Sequence, residues 1–346
     1  MRTTDVYIAG VGSHLPRTVT TEWAVAQGLY DPFERELHQL RGTAVADGTS
    51  APEMALEAGR TALGRAELDG EDLGLLLYAA TWHQGPEGWL PHSYLQHHLV
   101  GGVRALEVRQ GCNGMFTAME LATWHLRAEP GRGAALLVAA DNYGSPMVDR
   151  WAMGRGYIGG DAASALVLRT EPGFARLRSV CTATVPEAEE MHRGSAPLFP
   201  PGITDGRGLD FGRRNEEFQT TARGRPGGTV PLLMVQQQTL AVVETALEEA
   251  GIGHEDVTRV AFMNYSREVV EQRCTAALGL PMSRSVWDFG ADIGHCGASD
   301  QVLALDHLLD TGGLGPGDHL LMMGVGPGVM VAAAVVEILH TPGWVA

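Results

Sequence analysis

The chain has 346 residues, 45% of them hydrophobic and 19% charged, a balance ordinary for a globular protein with ample core. Its 41 acidic residues against 25 basic ones leave a net charge of −16, so no whole-chain positive field attracts phosphates and a general nucleic-acid binder is excluded. No apolar run reaches the ~20 residues of a membrane span. The first residues run straight into a strand with no signal-peptide pattern, so the cytoplasm is the expected compartment. The four cysteines, Cys112, Cys181, Cys274 and Cys296, have no zinc spacing, and neither a metal nor a resident cofactor is expected.

In chain order, Val6 to Val11 reads as a strand. Ser50-Ala51-Pro52-Glu53 reads as an N-cap with proline in the first turn of a helix through Leu63. Leu75 to Ala80 is a strand apolar on both faces, followed by a loop, Thr81 to Pro91, and a helix near His92 to Val100. Ala105 to Val108 is strand-forming, Gly111 to Gly114 a tight turn, and Met115 to Leu126 a helix apolar nearly all round. Ala134 to Ala140 and Ser164 to Leu168 are further strands. Arg169 to Gly228 is rich in Gly, Pro and Arg; it reads as a pocket roof, a dimer contact or a surface insertion. The rhythm then resumes. Helix Leu232 to Ala250 is closed by Gly251, and Val257 to Met263 is a strand. Ser266 to Leu278 is a helix, Val286 to Phe289 a short strand, and Ala298 to Leu309 a helix. Strands His319 to Val325 and Val331 to Ile338 flank the turn Gly326-Pro327-Gly328. Two halves, 1–172 and 173–346, thus share one order of elements, an α/β pattern with a mostly parallel sheet in each.

Gln110-Gly111-Cys112-Asn113-Gly114 sets a cysteine between a strand and a buried helix. Unpaired N–H groups and the dipole at a helix start favour a thiolate, which makes Cys112 a candidate nucleophile; the alternative is a small buried apolar residue.

With Gly160-Asp161-Ala162-Ala163-Ser164, Gly294-His295-Cys296-Gly297-Ala298-Ser299 and Gly326-Pro327-Gly328, this stretch occurs in the order of the type III ketoacyl-acyl-carrier-protein synthases, and the chain resembles that family from about Val6 to Ile338. The resemblance implies a thiolase fold: a duplicated five-layer αβαβα, two mostly parallel sheets around buried helices, in a homodimer. It also implies an acyl-thioester on Cys112. Condensing members carry a histidine where this chain has Asn264, and an asparagine where it has His295. His295 with Asp300 instead resembles the Cys-His-Asp acyltransferases of polyketide pathways, among them the enzyme that forms malonyl esters on cervimycin sugars.

The activity so implied is transfer of an acyl group from an acyl-carrier-protein or coenzyme A thioester, through Cys112, to a hydroxyl of a glycosylated acceptor, without decarboxylation. His295 is the expected base, oriented by Asp300 or, three residues the other way, by Asp292. The second oxyanion donor falls to Gly326 or Gly328, since Pro327 has no N–H. Asn264 either hydrogen-bonds the acyl group or caps the following helix. By resemblance, Arg150 and Trp151 meet the adenine of coenzyme A, and Arg267 and Arg273 meet the carrier protein. The other readings are a decarboxylating synthase that primes a polyketide and a silent partner subunit.

Overall fold

The computed structural model describes every residue except Thr4, Glu87, Pro130, Arg132, Ser145, residues 200–208, Pro226 and Ala346. Among the described residues one nine-stranded sheet runs through the molecule. Its strands are β1 (Tyr7–His14), β2 (Leu73–Ala79), β3 (Ala105–Val108), β4 (Ala134–Asp141), β5 (Ala162–Arg169), β6 (Ala175–Thr184), β7 (Val257–Ala261), β8 (His319–Gly326) and β9 (Met330–Ile338). The order across the sheet is β3-β2-β4-β5-β1-β6-β9-β8-β7. The halves join where Tyr7 and Ile8 of β1 pair with Arg176 and Ala175 of β6.

The duplication is visible in that order. β1, β5, β4 and β2 of the first half correspond to β6, β9, β8 and β7 of the second. The counterpart of β3 is reduced to a single parallel bridge, Val260 to Ser285. The strand expected from Val286 to Phe289 is instead the start of a helix, α5 (Trp287–Ile293).

The mostly parallel expectation is corrected. Three pairings, β2–β3, β2–β4 and β7–β8, are parallel. Five, β1–β5, β4–β5, β1–β6, β6–β9 and β8–β9, are antiparallel. For β8–β9 the reason is connection length: Gly326 and Met330 end and begin adjacent strands, which leaves no room for a crossover helix.

Alternation along the strands builds the layers. Leu75, Leu77 and Ala79 face a central core with Met115, Phe116 and Met119 of α2 (Gly114–Ala128). Val302 and Leu305 of α6 (Asp300–Asp310) join them. Leu76 and Tyr78 face outward to Met54, Ala58 and Ala62 of α1 (Ala51–Ala66), whose Ser50–Glu53 capping box fixes its start. In the other half Val243, Ala246 and Leu247 of α4 (Val230–Ala250) share a buried layer with Leu321 and Met323 of β8 and with Val331, Ala333 and Val335 of β9. Five layers result: α1, the first half's strands, the buried pair α2 and α6, the second half's strands, α4; the two sheets expected are one, continuous through the β1–β6 pairing. Gly114 lies where an added Cβ would be 3.6 Å from Ala298, so α2 and the turn leading into α6 meet at their N-terminal ends.

The segment from Arg169 is less irregular than its composition suggests. It supplies β6, a central strand, and α3 (Phe211–Arg223). Leu209 and Phe211 pack with Tyr143, Met153 and Tyr157. Residues 200–208 of that stretch lie outside the described residues.

Candidate active site

The turn after β3 is held by its neighbours before any chemistry is considered. Gly111 has φ +54°, and a Cβ on it would lie 2.2 Å from the Pro327 ring. Gln110 Nε2 donates to the Pro327 carbonyl at 3.2 Å, and Asn113 Nδ2 donates to the Met330 carbonyl at 2.7 Å. The first turn, Gly111–Asn113, is a 3₁₀ turn that runs into α2, and Cys112 sits on it half-buried. The Gly326-Pro327-Gly328 turn therefore lies against the loop that carries Cys112. Gly326 is close enough that a Cβ on it would lie 3.0 Å from Asn113 N.

Cys112 Sγ lies 3.0 Å from His295 Nε2, and His295 Nδ1 donates to Asp300 Oδ2 at 2.5 Å. The three residues expected to act together do meet, across both halves of the chain. His295 reaches this position because its backbone bridges the first half: its N–H donates to the Ile158 carbonyl at 2.8 Å and its carbonyl accepts from Gly160 N at 2.9 Å. Gly294, at φ +73°, turns the chain into that bridge. Asp292, the alternative partner, faces solvent and pairs with Arg41 at 2.6 Å.

Asp300 is fully buried and takes four hydrogen bonds. Besides His295, it accepts from Asn264 N at 2.9 Å, Asn264 Nδ2 at 2.9 Å and Cys296 N at 2.7 Å. This corrects the reading of Asn264. Its second amide hydrogen goes to the Gly294 carbonyl at 2.9 Å, so the side chain neither reaches an acyl group nor caps the next helix. Ser266 supplies that cap. Asn264 instead supports the Asp300 carboxylate behind His295.

Burial works against a charge on His295. The Asp300 carboxylate, the Cys112 sulfur and the hydrogen bonds to both outweigh it, and the imidazole is held well above its ordinary value. The geometry is that of a sulfur nucleophile within hydrogen-bond reach of a base. Tyr157 and Tyr265 stack at 4.6 Å and 8° beside it. Their centroids lie 5.3 and 5.2 Å from that of His295, at 83° and 85°. Nearly equal distances place the imidazole alongside the stack, not over either face. Neither tyrosine was singled out from sequence, and their aromatic character next to Ile158 and Asn264 was the available signal.

The donor-binding assignment of Arg150 and Trp151 is also corrected. Arg150 donates to both oxygens of the fully buried Asp161, at 3.0 and 2.9 Å, and to the Ala44 and Gly159 carbonyls. Trp151 is buried against Tyr30. A guanidinium so occupied, and a ring so covered, offer no face to an adenine. Arg267 lies over Trp287, with its guanidinium 5.3 Å from the ring centroid, and Arg41 approaches the same ring at 5.6 Å. Arg273 is exposed, and its charge favours ionisation of the half-buried Tyr265 that desolvation opposes. Cys296 is fully buried and its thiol is pushed up by that burial, so it is structural. A cavity of about 270 Å³ between Pro186, Glu190, Phe218 and Pro231 lies apart from the cysteine. Among the described residues no cluster of three metal-ligating side chains occurs, and no helix is long and apolar enough to cross a membrane.

Comparison with known proteins agrees with this architecture. Residues 106–184 match the 3-oxoacyl-[acyl-carrier-protein] synthase III family, and residues 247–338 match its C-terminal region. The chain is 28% identical over 340 residues to a beta-ketoacyl-[acyl-carrier-protein] synthase III of Methylococcus capsulatus, covering 95% of this chain and 98% of that one. It is 25% identical to the mycobacterial enzyme of that name in Mycobacterium tuberculosis, over 96% of each. Among solved structures it is similar to ChlB3, an acyltransferase, with 58% identity, TM-score 0.93, and coverage of 98% of this chain and 99% of that one. The synthase III of Aquifex aeolicus shares the fold at 20% identity and TM-score 0.76, over 96% of this chain and 99% of that one. The chain belongs to the 3-oxoacyl-[acyl-carrier-protein] synthase III family of thiolase-fold enzymes.

Proposed function

We propose that the protein is an acyltransferase that moves an acyl group from a carrier-protein or coenzyme A thioester, through Cys112, to an acceptor hydroxyl, with a sugar of a polyketide-type product as the acceptor class. The observation that carries this reading is the continuous Cys112–His295–Asp300 arrangement, with Asn264 bound to Asp300 in place of a pocket histidine. Asn264 has both amide hydrogens committed, so it has none to offer the enolate oxygen that decarboxylation of a malonyl group creates. The likeness to ChlB3, an acyltransferase, supports it further.

In the first half-reaction the Cys112 thiolate attacks the thioester carbonyl. The oxyanion is met by the Cys112 N–H and by Gly326 or Gly328. Collapse expels the donor thiolate, which takes the proton from the His295 imidazolium. Neutral His295 then removes the proton of the acceptor hydroxyl through Nε2 as the oxygen attacks the Cys112 thioester. Collapse of that intermediate releases the ester and restores the thiolate–imidazolium pair. Asp300 stabilises the imidazolium and fixes the tautomer. Arg267 and Arg273 are the side chains proposed to meet the carrier protein, and a homodimer is the proposed assembly.

The test is intact-mass analysis of wild type and Cys112→Ala with acetyl, malonyl and aryl thioesters, followed by a glycosylated acceptor or a second carrier-protein thiol. Expected are an adduct on wild type alone, a malonyl adduct that keeps its carboxylate, and ester formation. Release of carbon dioxide with a β-keto product would sink the reading, and transfer to the carrier thiol in preference to the hydroxyl would overturn its acceptor.

A further inference from the structure

A second carboxylate borders the site from the other side. Asp141 ends β4, a strand otherwise wholly apolar, and is fully buried. Its Oδ1 accepts from Thr81 N at 2.7 Å and from Gln84 Nε2 at 3.4 Å, and its Oδ2 accepts from the Thr81 hydroxyl at 2.9 Å. The Tyr143 hydroxyl donates to that same Thr81 oxygen at 3.1 Å. Across from it stands Gly297, φ +61°, where a Cβ would lie 2.3 Å from Asp141 Oδ2. The Ala298 N–H is within reach of the carboxylate as well. Gly297 and Ala298 form the turn between His295 and α6, whose first helical residue is Asp300.

Two carboxylates thus hold one turn. Asp300 takes the Cys296 N–H from the chain's own half, and Asp141 approaches the next peptides from the other half. The N-terminal ends of α2 and α6 meet here, and both direct partial positive charge into the site. On the α2 side the Cys112 sulfur lies in that field. On the α6 side the two carboxylates do.

We propose that Asp141 is a positioning residue of this site: its carboxylate seats the Gly297–Ala298 turn, and with it the ring of His295, and its negative charge supports the imidazolium. The proposal rests on Cys112 and His295 being the reacting pair. The groups facing Asp141 are Tyr78, Tyr143, Cys296 and His295. Those facing His295 are Cys112, Asp300, Tyr157 and Tyr265. Every tyrosine among them is pushed upward by burial and stays neutral, so Asp300 and Cys112 are the groups that raise the ring and Asp141 is the further carboxylate facing it. Burial pushes Asp141 itself up to about 7, against the Thr81 bonds and the His295 charge. Its support for the imidazolium therefore grows as pH rises through neutrality.

The experiment follows the His295 ring carbon by NMR through a pH titration, in protein labelled at histidine and carrying Cys112→Ala so that the thiol does not titrate. Asp141→Asn is expected to move the His295 midpoint down by about one pH unit. Thr81→Val, which removes one donor from the carboxylate, is expected to move it the same way by less. Titrations superimposable on the parent in both variants overturn the proposal; should Asp141→Asn not fold, Thr81→Val decides it alone. No donor or acceptor is needed. A shifted titration with no acyl transfer by the wild type would therefore sink the acyltransferase reading and leave this one standing.

Discussion

Asp300 has more donors than an orienting carboxylate requires: two come from Asn264 and one from Cys296, in addition to His295. That surplus leaves both oxygens of a fully buried carboxylate hydrogen-bonded beside the imidazole. Asp300→Asn keeps the shape but offers the ring a donor where it needs an acceptor, so the wrong tautomer is stabilised. Single-turnover transfer is expected to fall by roughly 10³–10⁴ with the fold retained. Asn264→Leu removes the side-chain bonds to Asp300 and to the Gly294 carbonyl. A loss of about 1–3 kcal/mol in urea denaturation is expected, with a weaker Cys112–His295 pair. If Asn264→Leu kept both stability and the rate of Cys112 alkylation, the supporting role given to Asn264 would be wrong.

At the scale of elements, the site depends on two turns that come within contact of each other, one after β3 and one between β8 and β9. Gly111→Ala places a methyl into the Pro327 ring at a positive φ, so the Cys112 turn has to move. Transfer is expected to drop at least tenfold, as a misplaced nucleophile does, while circular dichroism stays native. The Arg150–Asp161 pair ties the segment before β5 to the N-terminal part of the chain. Asp161 is fully buried, and its oxygens also accept from Tyr143 N and Ala46 N. Arg150→Met leaves that carboxylate without its counter-charge, and about 3–5 kcal/mol of stability is expected to be lost in denaturant titration. An unchanged stability with a raised KM for a coenzyme A donor would restore the adenine-binding reading of Arg150.

Over the whole molecule, two buried groups tie stability to pH with the same sign. His295 is raised in the folded state, so its contribution is fully present below the ordinary histidine value and is lost as pH climbs through the folded one. Asp141 is raised from 3.8 to about 7, so the folded state binds more protons than the unfolded one in that interval and stability falls as pH rises across it. Denaturation midpoints are therefore expected to be higher near pH 5 than near pH 8. Asp141→Asn should flatten the part of that slope below pH 7; an unaltered slope would show that Asp141 does not titrate in that window.

Local pattern determined much of this protein. The continuous apolar run of β2, the Ser50–Glu53 box, Gly251 after α4 and the all-round apolar α2 are written in neighbouring residues, so the α/β architecture and its duplicated order were legible. So was the candidate set Cys112, His295 and Asp300, because ordered motifs along the chain carry the family resemblance. Only the tertiary structure decided which carboxylate serves the imidazole. Asp292 and Asp300 are both within five residues of His295, and the difference is that one ends in solvent on Arg41 and the other in the core on Asn264. Likewise nothing local tells Arg150 from a surface arginine, or Asp141 from a strand-end loop residue. Their partners Asp161, Thr81 and Gly297 lie on other segments. Strand direction was hidden for the same reason, since pairing is made between distant segments and the length of a connection matters more than the composition of a strand.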